Sequence, residues 1–310
     1  MTLATPNHIV RPAKDLDEVQ DLYWPLMQEL GWNRAKEDCK THYTVSKSWL
    51  LIFPESCKTP QGMLLPLIYP NKTAWVAFFI MNAAYRGKGL GAALWREMET
   101  LVSAAQCSFI GLDAVPEQVQ TYTRRGFVDC ARVPLMSRKS LVEKPLGIKW
   151  GYEDAVELQD LRDVDPVYLT QLDLEHTGLD RRAYWAADVL PARRDAFGYT
   201  IVEDGELTGL IYARRCPDGV RIGPLYAATY VQARQLLHKL MNDYARMEGT
   251  FAAEIFGTNV EGRKLFEELG WEYAGVSYHR MWKDGNVPEE QKEGSMGATG
   301  MYATFDAASG

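Results

Sequence analysis

The sequence has few cysteines, and they follow no recognisable pattern. Its 310 residues include five, at Cys39, Cys57, Cys107, Cys130 and Cys216. None belongs to a C-x-x-C pair, so neither a zinc framework nor a disulfide scaffold is predicted. We therefore expect reduced thiols, no bound metal and a cytoplasmic protein.

Long apolar runs and surplus positive charge are also lacking. No window approaches the ~20 apolar residues of a membrane-spanning helix, and the N-terminal residues lack the apolar core of a signal peptide. The net charge is −7, from 34 Lys and Arg against 41 Asp and Glu. Because phosphate contacts need basic residues, no nucleic-acid partner is predicted. An acidic chain instead favours a cationic small substrate, and no membrane partner is expected.

What the chain does contain is enough apolar mass for two globular units. Hydrophobic residues make up 46% and charged residues 24%, which is typical of globular domains. Tyr122-x-x-x-Gly126-Phe127 in the first half has a counterpart in Phe266-x-x-x-Gly270-Trp271, and the two glycines lie 144 residues apart. This weak repeat predicts a duplicated α/β unit.

Hydrophobic periodicity predicts a similar order of elements in both halves. The predicted helices span 15–30, the stretch after the glycines of 87–91, 116–126, 167–176, 231–248 and 260–269. The predicted strands span 8–11, 49–55, 62–70, 73–81, 107–115, 127–136, a hairpin within 199–215, 220–227, 251–258 and 301–307. Residues 137–154 are interpreted as a connector, and Arg214 and Arg215 as a charged strand end.

The stretch RGKGLGA, Arg86 to Ala92, carries the strongest chemical signal. It lies where a strand-like run ends and a helix begins. The first amides of a helix lack internal acceptors, and the helix dipole favours an anion there. Glycine lets the backbone approach a phosphate closely, and Arg86 and Lys88 add positive charge. The stretch therefore predicts a phosphate or diphosphate site.

Motif spacing leaves more than one ligand open for this site. A Walker loop is excluded because no Gly-Lys-Ser/Thr follows at the required spacing. Gly87 to Ala92 fits the dinucleotide pattern G-x-G-x-x-A, with Asp113 about 20 residues further on. An NAD-type oxidoreductase is therefore an alternative.

Two motifs resemble those of the GNAT (Gcn5-related) N-acetyltransferases. Residues Arg86 to Gly91 match R-x-x-G-x-G, the acetyl-CoA signature of that family, and Tyr122 to Phe127 resembles its Y-x-x-x-G-F ending. The stretch GLDAVPEQVQTYTRRGF is similar to a segment of two-domain GNAT proteins, whose second half is divergent. The first two motifs cover residues 1 to about 140, and HTGLDRR, GLIYARR and RIGPLYA extend the resemblance into the second half.

The resemblance implies an α/β (α+β) fold with two tandem GNAT-like units, each a mixed, largely antiparallel sheet flanked by helices. It implies a catalytic acetyl-CoA-binding domain at residues 1–143 and a degenerate GNAT-like domain at 144–310. The degenerate unit lacks R-x-x-G-x-G, reads Gly223 to Ala227 at the equivalent turn and has Phe266 in place of Tyr122. The acetyl-CoA-binding residues implied are Phe79, Ile80, Met81, Arg86, Gly87, Lys88, Gly89, Leu90, Gly91 and Ala92.

The implied activity is transfer of an acetyl group from acetyl-CoA to a small amine held between the halves. Tyr122 is the candidate acid for the departing thiolate. Since residues 73–86 contain no acidic side chain, the base is Asp113 or ordered water. The alternative on the same fold is a non-catalytic acyl-CoA-binding or ligand-sensing protein. Trp24, Trp32, Tyr43 and Trp49 lie where the family places the acceptor; they are interpreted as core residues or as cation–π partners of an ammonium group.

Overall fold

The computed structural model describes residues 7–146 and 156–310. Its strands are β1 (His8–Pro12), β2 (Leu50–Pro54), β3 (Gly62–Ile68), β4 (Thr73–Met81), β5 (Phe109–Ala114), β6 (Phe127–Lys139), β7 (Leu158–Asp160), β8 (Ala196–Glu203), β9 (Glu206–Arg215), β10 (Val220–Ala227), β11 (Thr250–Glu254), β12 (Glu272–Lys283) and β13 (Met301–Ala303). Its helices are α1 (Leu16–Glu29), α2 (Asp38–Val45), α3 (Leu90–Ala104), α4 (Val119–Thr123), α5 (Pro166–Thr177), α6 (Arg182–Trp185), α7 (Tyr230–Asp243), α8 (Val260–Glu268) and α9 (Met296–Gly300).

The strands form one continuous sheet. Its mixed, mostly antiparallel character agrees with the fold that the resemblance implies, although a separate sheet was expected for each unit. The strand order is β1-β2-β3-β4-β5-β12-β6-β11-β10-β9-β8-β7, and β13 adds to β10. Only β4–β5 and β10–β11 pair in parallel among the described strands. The predicted connector is partly wrong, because β6 continues through residue 139; residues 147–154 of it lie outside the described residues.

The two halves exchange a strand, so they share one sheet. β12, from the second half, lies between β5 and β6 of the first. Arg280 on β12 pairs with Asp113 on one side and Ala131 on the other, while Arg138 of β6 pairs with Phe251 of β11. The division at 143/144 stays a prediction, since strands on either side of it pair with the other half.

The internal repeat is visible in the geometry. Gly126 and Gly270 follow α4 and α8 with φ of +83° and +79°, the left-handed region that glycine adopts without strain. In the first half the parallel pairing runs only from Thr73 to Trp75, and in the second only from Val220 to Ile222. Beyond these points the parallel strands are no longer paired with each other, and each half acquires a groove.

Burial is organised in three apolar clusters. The first cluster joins α1 and α2 to β4 and to the second half. The second cluster belongs mainly to the second half. The third lies between α3 and the strands of the first half. Residues 301–306 are almost wholly buried within these clusters. No helix in the described ranges is long and apolar enough to cross a membrane.

Candidate active site

The end of β4 presents a strand edge without a partner strand on the β5 side. Pairing with β5 stops at Trp75, whereas β5 continues to Ala114 and pairs with β12 along its other edge. A bulge lies opposite Met63–Leu65 of β3, and Phe78 adopts φ +48° there. Ile80 and Met81 keep their pairing with β3 on the other side. A bulge re-aims the backbone, so residues 79–81 can pair with an extended ligand along the β5-facing edge.

The glycine-rich loop brings free amides to the same end of β4. A short 3₁₀ turn, Ala83–Tyr85, follows the strand, and α3 begins after Gly89, whose φ is +79°. None of the amides of residues 87–91 donates a hydrogen bond to a described residue. Residues 86–89 are exposed. Unpaired helical amides fit an anion, and several in succession fit the diphosphate of a thioester carrier such as acetyl-CoA.

Arg86 and Lys88 line this loop but do not enter the protein. The Nε of Arg86 donates to the Met81 carbonyl oxygen at 3.0 Å, which ties the loop to the strand end. Its guanidinium lies 3.9 Å from the exposed Glu29, a surface pair of little energetic weight. Lys88 places its ammonium 4.9 Å from the Tyr85 ring. Both cations remain available to a phosphate.

Tyr122 lies on the α3 side of β4, close to the predicted carrier path. Its ring is 5.7 Å from Trp95, which in turn is 5.5 Å from Phe79. The side chain is buried in the apolar cluster between α3 and the sheet. Burial raises the pKa of Tyr122 to about 12, although the nearby Arg125 charge opposes this. The phenol therefore stays protonated at neutral pH and can act as a proton donor.

Asp113 is held in a buried ion pair. Both of its carboxylate oxygens accept hydrogen bonds from Arg280, from Nε at 2.9 Å and from Nη2 at 2.7 Å. Both side chains are fully buried. Such a bidentate pair leaves the carboxylate poorly placed to take a proton from a substrate. The geometry favours a role in joining β5 to the exchanged strand β12.

The helix that begins at the matching position of the second half is closed by its own side chains. The prediction that Gly223 to Ala227 form the equivalent turn is wrong, because these residues lie inside β10. α7 begins after Thr229, whose side chain accepts from the Gln232 amide while the Gln232 side chain accepts from the Thr229 amide. This capping box satisfies two amides at the start of α7, those of Thr229 and Gln232.

The groove of the second half is also filled by the chain itself. β13 pairs with β10 at Leu225 and Tyr226. It uses the same edge of β10 that pairs with β11 earlier in the strand, at residues 220–222. The Thr304 amide donates to the Glu254 carbonyl oxygen at the end of β11, at 2.8 Å. The segment 301–304 thus lies between the two strands, where the first half has an open edge.

The predicted aromatic residues divide into two groups. Trp49 is fully buried and stacks on Phe78, with ring centroids 5.3 Å apart. Trp24 packs edge-on against Tyr23. By contrast, Tyr43 lies under the Lys47 ammonium, and Trp32 is 6.0 Å from the Arg34 guanidinium.

Charged residues that sequence patterns did not single out also surround Phe78. Arg34, Asp38 and His42 are buried beside it, and Arg214 joins them from the second half. The interpretation of Arg214 as a charged strand end is wrong, because its side chain is fully buried and bonded to Asp306. No local pattern marks these residues, which come together only in the fold.

Comparison with known proteins agrees with this geometry. Two models described as an acetyltransferase (GNAT) domain match, one at residues 57–138 and one at 169–296. The chain belongs to the GNAT acetyltransferases. One match falls in each half, so it is a tandem member of the family.

Relatives place the same fold in other organisms. Holothin acyltransferase of Pseudoalteromonas sp. (strain SANK 73390) is 27% identical over 167 residues, which is 51% of this chain and only 50% of that protein. A putative acetyltransferase from Pyrococcus horikoshii has TM-score 0.76 at 21% identity, covering 98% of this chain and 96% of its own. A tandem GNAT protein from the clavulanic acid biosynthesis pathway has TM-score 0.63 at 14% identity, covering 91% and 100%.

No metal centre is apparent in the described part of the chain. No group of three or more His, Cys, Asp or Glu side chains is arranged there to hold an ion.

Proposed function

We propose that the chain is an acetyl-CoA-dependent N-acetyltransferase that acetylates a small amine. The observation that carries this proposal is the row of unpaired amides at residues 87–91, beside the β5-facing edge of β4. Membership of the GNAT acetyltransferases and the similarity to an acyltransferase over half the chain support it. The catalytic unit is proposed to be residues 1–143, with 144–310 shaping the acceptor side.

The chain's own groups bind and orient the thioester carrier. The amides of residues 87–91, with Arg86 and Lys88, hold its diphosphate, and Leu90 and Ala92 shape the first turn of α3 around it. The backbone of Phe79, Ile80 and Met81 hydrogen-bonds the pantetheine arm as an added strand would. The segment near Phe78 then lies at the acyl end.

Transfer needs an oxyanion donor, an acid and a proton acceptor. The amine nitrogen attacks the thioester carbonyl carbon, and a backbone N–H of the β4 bulge donates to the oxyanion. The carbon–sulfur bond then breaks, and Tyr122 gives its proton to the departing sulfur and regains one from solvent. Because Arg280 occupies both oxygens of Asp113, ordered water takes the proton of the amine.

The NAD-type alternative loses its main support. A dinucleotide fold needs a parallel sheet with an acidic residue free to bind a ribose. Here the sheet is mostly antiparallel, and Asp113 is buried against Arg280. The glycine pattern is therefore assigned to the thioester carrier.

The test is turnover of acetyl-CoA over a panel of amines, read by a thiol reagent, with heat-shift measurements alongside. We expect acetyl-CoA to stabilise the chain and NAD(P)H to leave it unchanged, because only a bound ligand raises the unfolding temperature. Binding of acetyl-CoA without turnover of any amine favours a ligand-sensing protein. Stabilisation by NAD(P)H alone would refute the proposal.

A further inference from the structure

Buried polar side chains meet where the halves adjoin, on the face of β4 that carries Phe78. We call them the junction cluster. Its members are Tyr23, Arg34, Asp38, His42 and Trp49 from the first half, and Arg214, Arg221, Glu254 and Asp306 from the second. Each is less than a tenth exposed. Polar groups of this number rarely share an interior without a reason beyond packing.

Ion pairs make the cluster continuous across the two halves. Asp306 accepts from Arg34 at 2.7 Å and from Arg214 at 3.1 Å. Arg214 also lies 3.5 Å from Asp38, and Arg221 donates to Glu254 at 2.6 Å. Three guanidinium groups therefore face three carboxylates, so the cluster has no strong net charge.

Many polar atoms of the cluster are nevertheless unpaired. The atoms with no hydrogen-bond partner in the described structure are Tyr23 Oη, Arg34 Nε, Asp38 Oδ2, His42 Nε2, Trp49 Nε1, Arg214 Nε, Arg221 Nε and Glu254 Oε2. Buried polar atoms in folded proteins almost always have a partner. Their concentration at one place indicates a bound polar molecule.

The cluster lies where an acceptor must approach. Phe79 and Met81 on the opposite face of β4 are packed against α3, and Gly91 comes so close that an added Cβ would be 3.3 Å from the Phe79 ring. On the cluster's face, the Phe78 ring is 5.1 Å from the His42 ring. The Arg34 guanidinium is 5.8 Å away. An amine reaching the acyl end from this face meets the cluster.

Building on the proposed function, we infer that the junction cluster binds the acceptor, and that the acceptor is amino-acid-like, with an amine and a carboxylate. The unpaired carboxylate oxygens of Asp38 and Glu254 accept from an amine. The unpaired guanidinium N–H groups donate to a carboxylate. A ligand that has only an amine or only a carboxylate leaves the remaining protein groups buried without a hydrogen bond, which lowers the binding affinity.

A cavity lies beside the cluster, where the two halves adjoin. It has a volume of about 420 Å³ and lies between α2 and residues 188–195. Arg193 lines it and donates to Asp38 at 2.7 Å, with Thr41 beside them. The ion pair of Arg193 with Asp38 therefore separates the cavity from the cluster, and the size of the cavity suits a small ligand.

The first experiment compares amino acids with their carboxylate-free counterparts, such as serine with ethanolamine and histidine with histamine. The full chain is assayed for thiol release from acetyl-CoA, and binding of each compound is measured calorimetrically in the presence and absence of CoA. We expect kcat/KM to favour amino acids by about 100-fold or more, because unpaired buried donors penalise the counterpart. Equal use of both classes overturns the inference.

The second experiment is Tyr23→Phe, with Tyr244→Phe as the matched control. Tyr23 Oη has no partner in the described structure, so its removal should not destabilise the chain. If the hydroxyl binds the acceptor, KM for the amino acid rises about tenfold, while acetyl-CoA affinity is unchanged. Tyr244→Phe removes a buried tyrosine hydroxyl from the core of the second half and should leave KM as it is.

The outcomes separate this inference from the proposed function. Failure to bind acetyl-CoA contradicts the proposed function. In that case, calorimetric binding of amino acids in the absence of CoA still shows whether the junction cluster is an amino-acid site. Binding of acetyl-CoA with no amino acid bound or acetylated contradicts only the inference. An unchanged KM in Tyr23→Phe, or a crystal structure with ordered water alone in the cluster, also contradicts it.

Discussion

Gly89→Ala tests whether the start of α3 holds the diphosphate of acetyl-CoA. Gly89 has φ +79°, where an alanine costs about 1–2 kcal/mol of backbone strain. Gly205, in the hairpin between β8 and β9, has φ +83°, and an added Cβ would meet no atom within 4 Å. Gly205→Ala is therefore a matched control, with similar strain and no predicted contact with the carrier.

The effect on binding is expected to be larger and confined to Gly89. A hydrogen bond between an amide and a charged phosphate contributes about 1.5–3 kcal/mol. Loss of one such bond weakens Kd by about 10- to 100-fold, and the new methyl group also obstructs the approach of the diphosphate. We expect at least this loss for Gly89→Ala. For Gly205→Ala we expect a change of less than about twofold.

Isothermal titration with acetyl-CoA measures the affinity, and thermal unfolding of the same samples measures the strain. Similar losses of thermal stability in both variants, with weakened binding only in Gly89→Ala, would confirm the assignment. Unchanged affinity in Gly89→Ala would refute it. Equal loss of affinity in both would attribute the effect to the fold and not to the site.

Four further outcomes are expected. Tyr122→Phe should lower kcat about 100-fold with the Kd for acetyl-CoA unchanged; equal kcat values would reduce the residue to packing. Asp113→Asn should cost about 3–5 kcal/mol in unfolding free energy by leaving Arg280 uncompensated; lost activity at full stability would instead identify Asp113 as the base. Burial raises the pKa of Asp38, but the charges of Arg214 and Arg193 outweigh it and lower the pKa to about 2. The ionised carboxylate therefore stabilises the fold by ~2–3 kcal/mol above about pH 4, and this stabilisation is lost as the pH falls towards 2. A difference in unfolding free energy between the protein and Asp38→Asn that persists at pH 2 would contradict this. Calorimetry should give one acetyl-CoA per chain, because residues 301–304 fill the second groove; two would show that they leave it.

Sequence reasoning predicted the elements that carry their own local signals. The helix from Asp15 begins at Leu16 with Asp15 accepting from the Glu18 amide, and the strand 73–81 has the predicted bounds. The hairpin at Asp204-Gly205 has positive φ at both turn residues, as a tight hairpin turn requires. Amphipathic spacing, caps and turn residues act within a few positions, so the sequence displays them directly.

The strand β12 shows what local patterns do not reveal. Residues 272–283 alternate poorly, and β12 was not predicted. The internal repeat does predict this strand: β6 follows Gly126, and the repeat therefore predicts that a strand also follows Gly270. Its destination between β5 and β6 depends on pairing with residues some 150 positions away, and no local rule encodes that distance.

The candidate site divides in the same way. The glycine loop was predicted because its chemistry is contiguous in the chain, and the structure adds that its amides are unpaired. The junction cluster draws on residues from Tyr23 to Asp306, and only two of its members, Trp49 and Arg214, were named from the sequence. Arg214 looked like a solvated strand end because a strand pattern does not reveal that Asp306 will be brought beside it.

The second half differs in structure from the first at the position of the proposed carrier site. Both halves have a parallel strand pair that stops pairing early, and a helix that begins beside the resulting groove. In the first half Gly89 caps that helix without a side-chain bond, whereas Thr229 and Gln232 close the second helix themselves. With Thr229 and Gln232 bonded to each other and residues 301–304 hydrogen-bonded in the groove, we expect the second unit to lose part of its own sheet if it accepts a carrier. The segment that fills this groove continues to Asp306, which joins Arg34 and Arg214 beside Phe78. Filling the second groove and building the proposed acceptor site are therefore performed by one continuous stretch of chain.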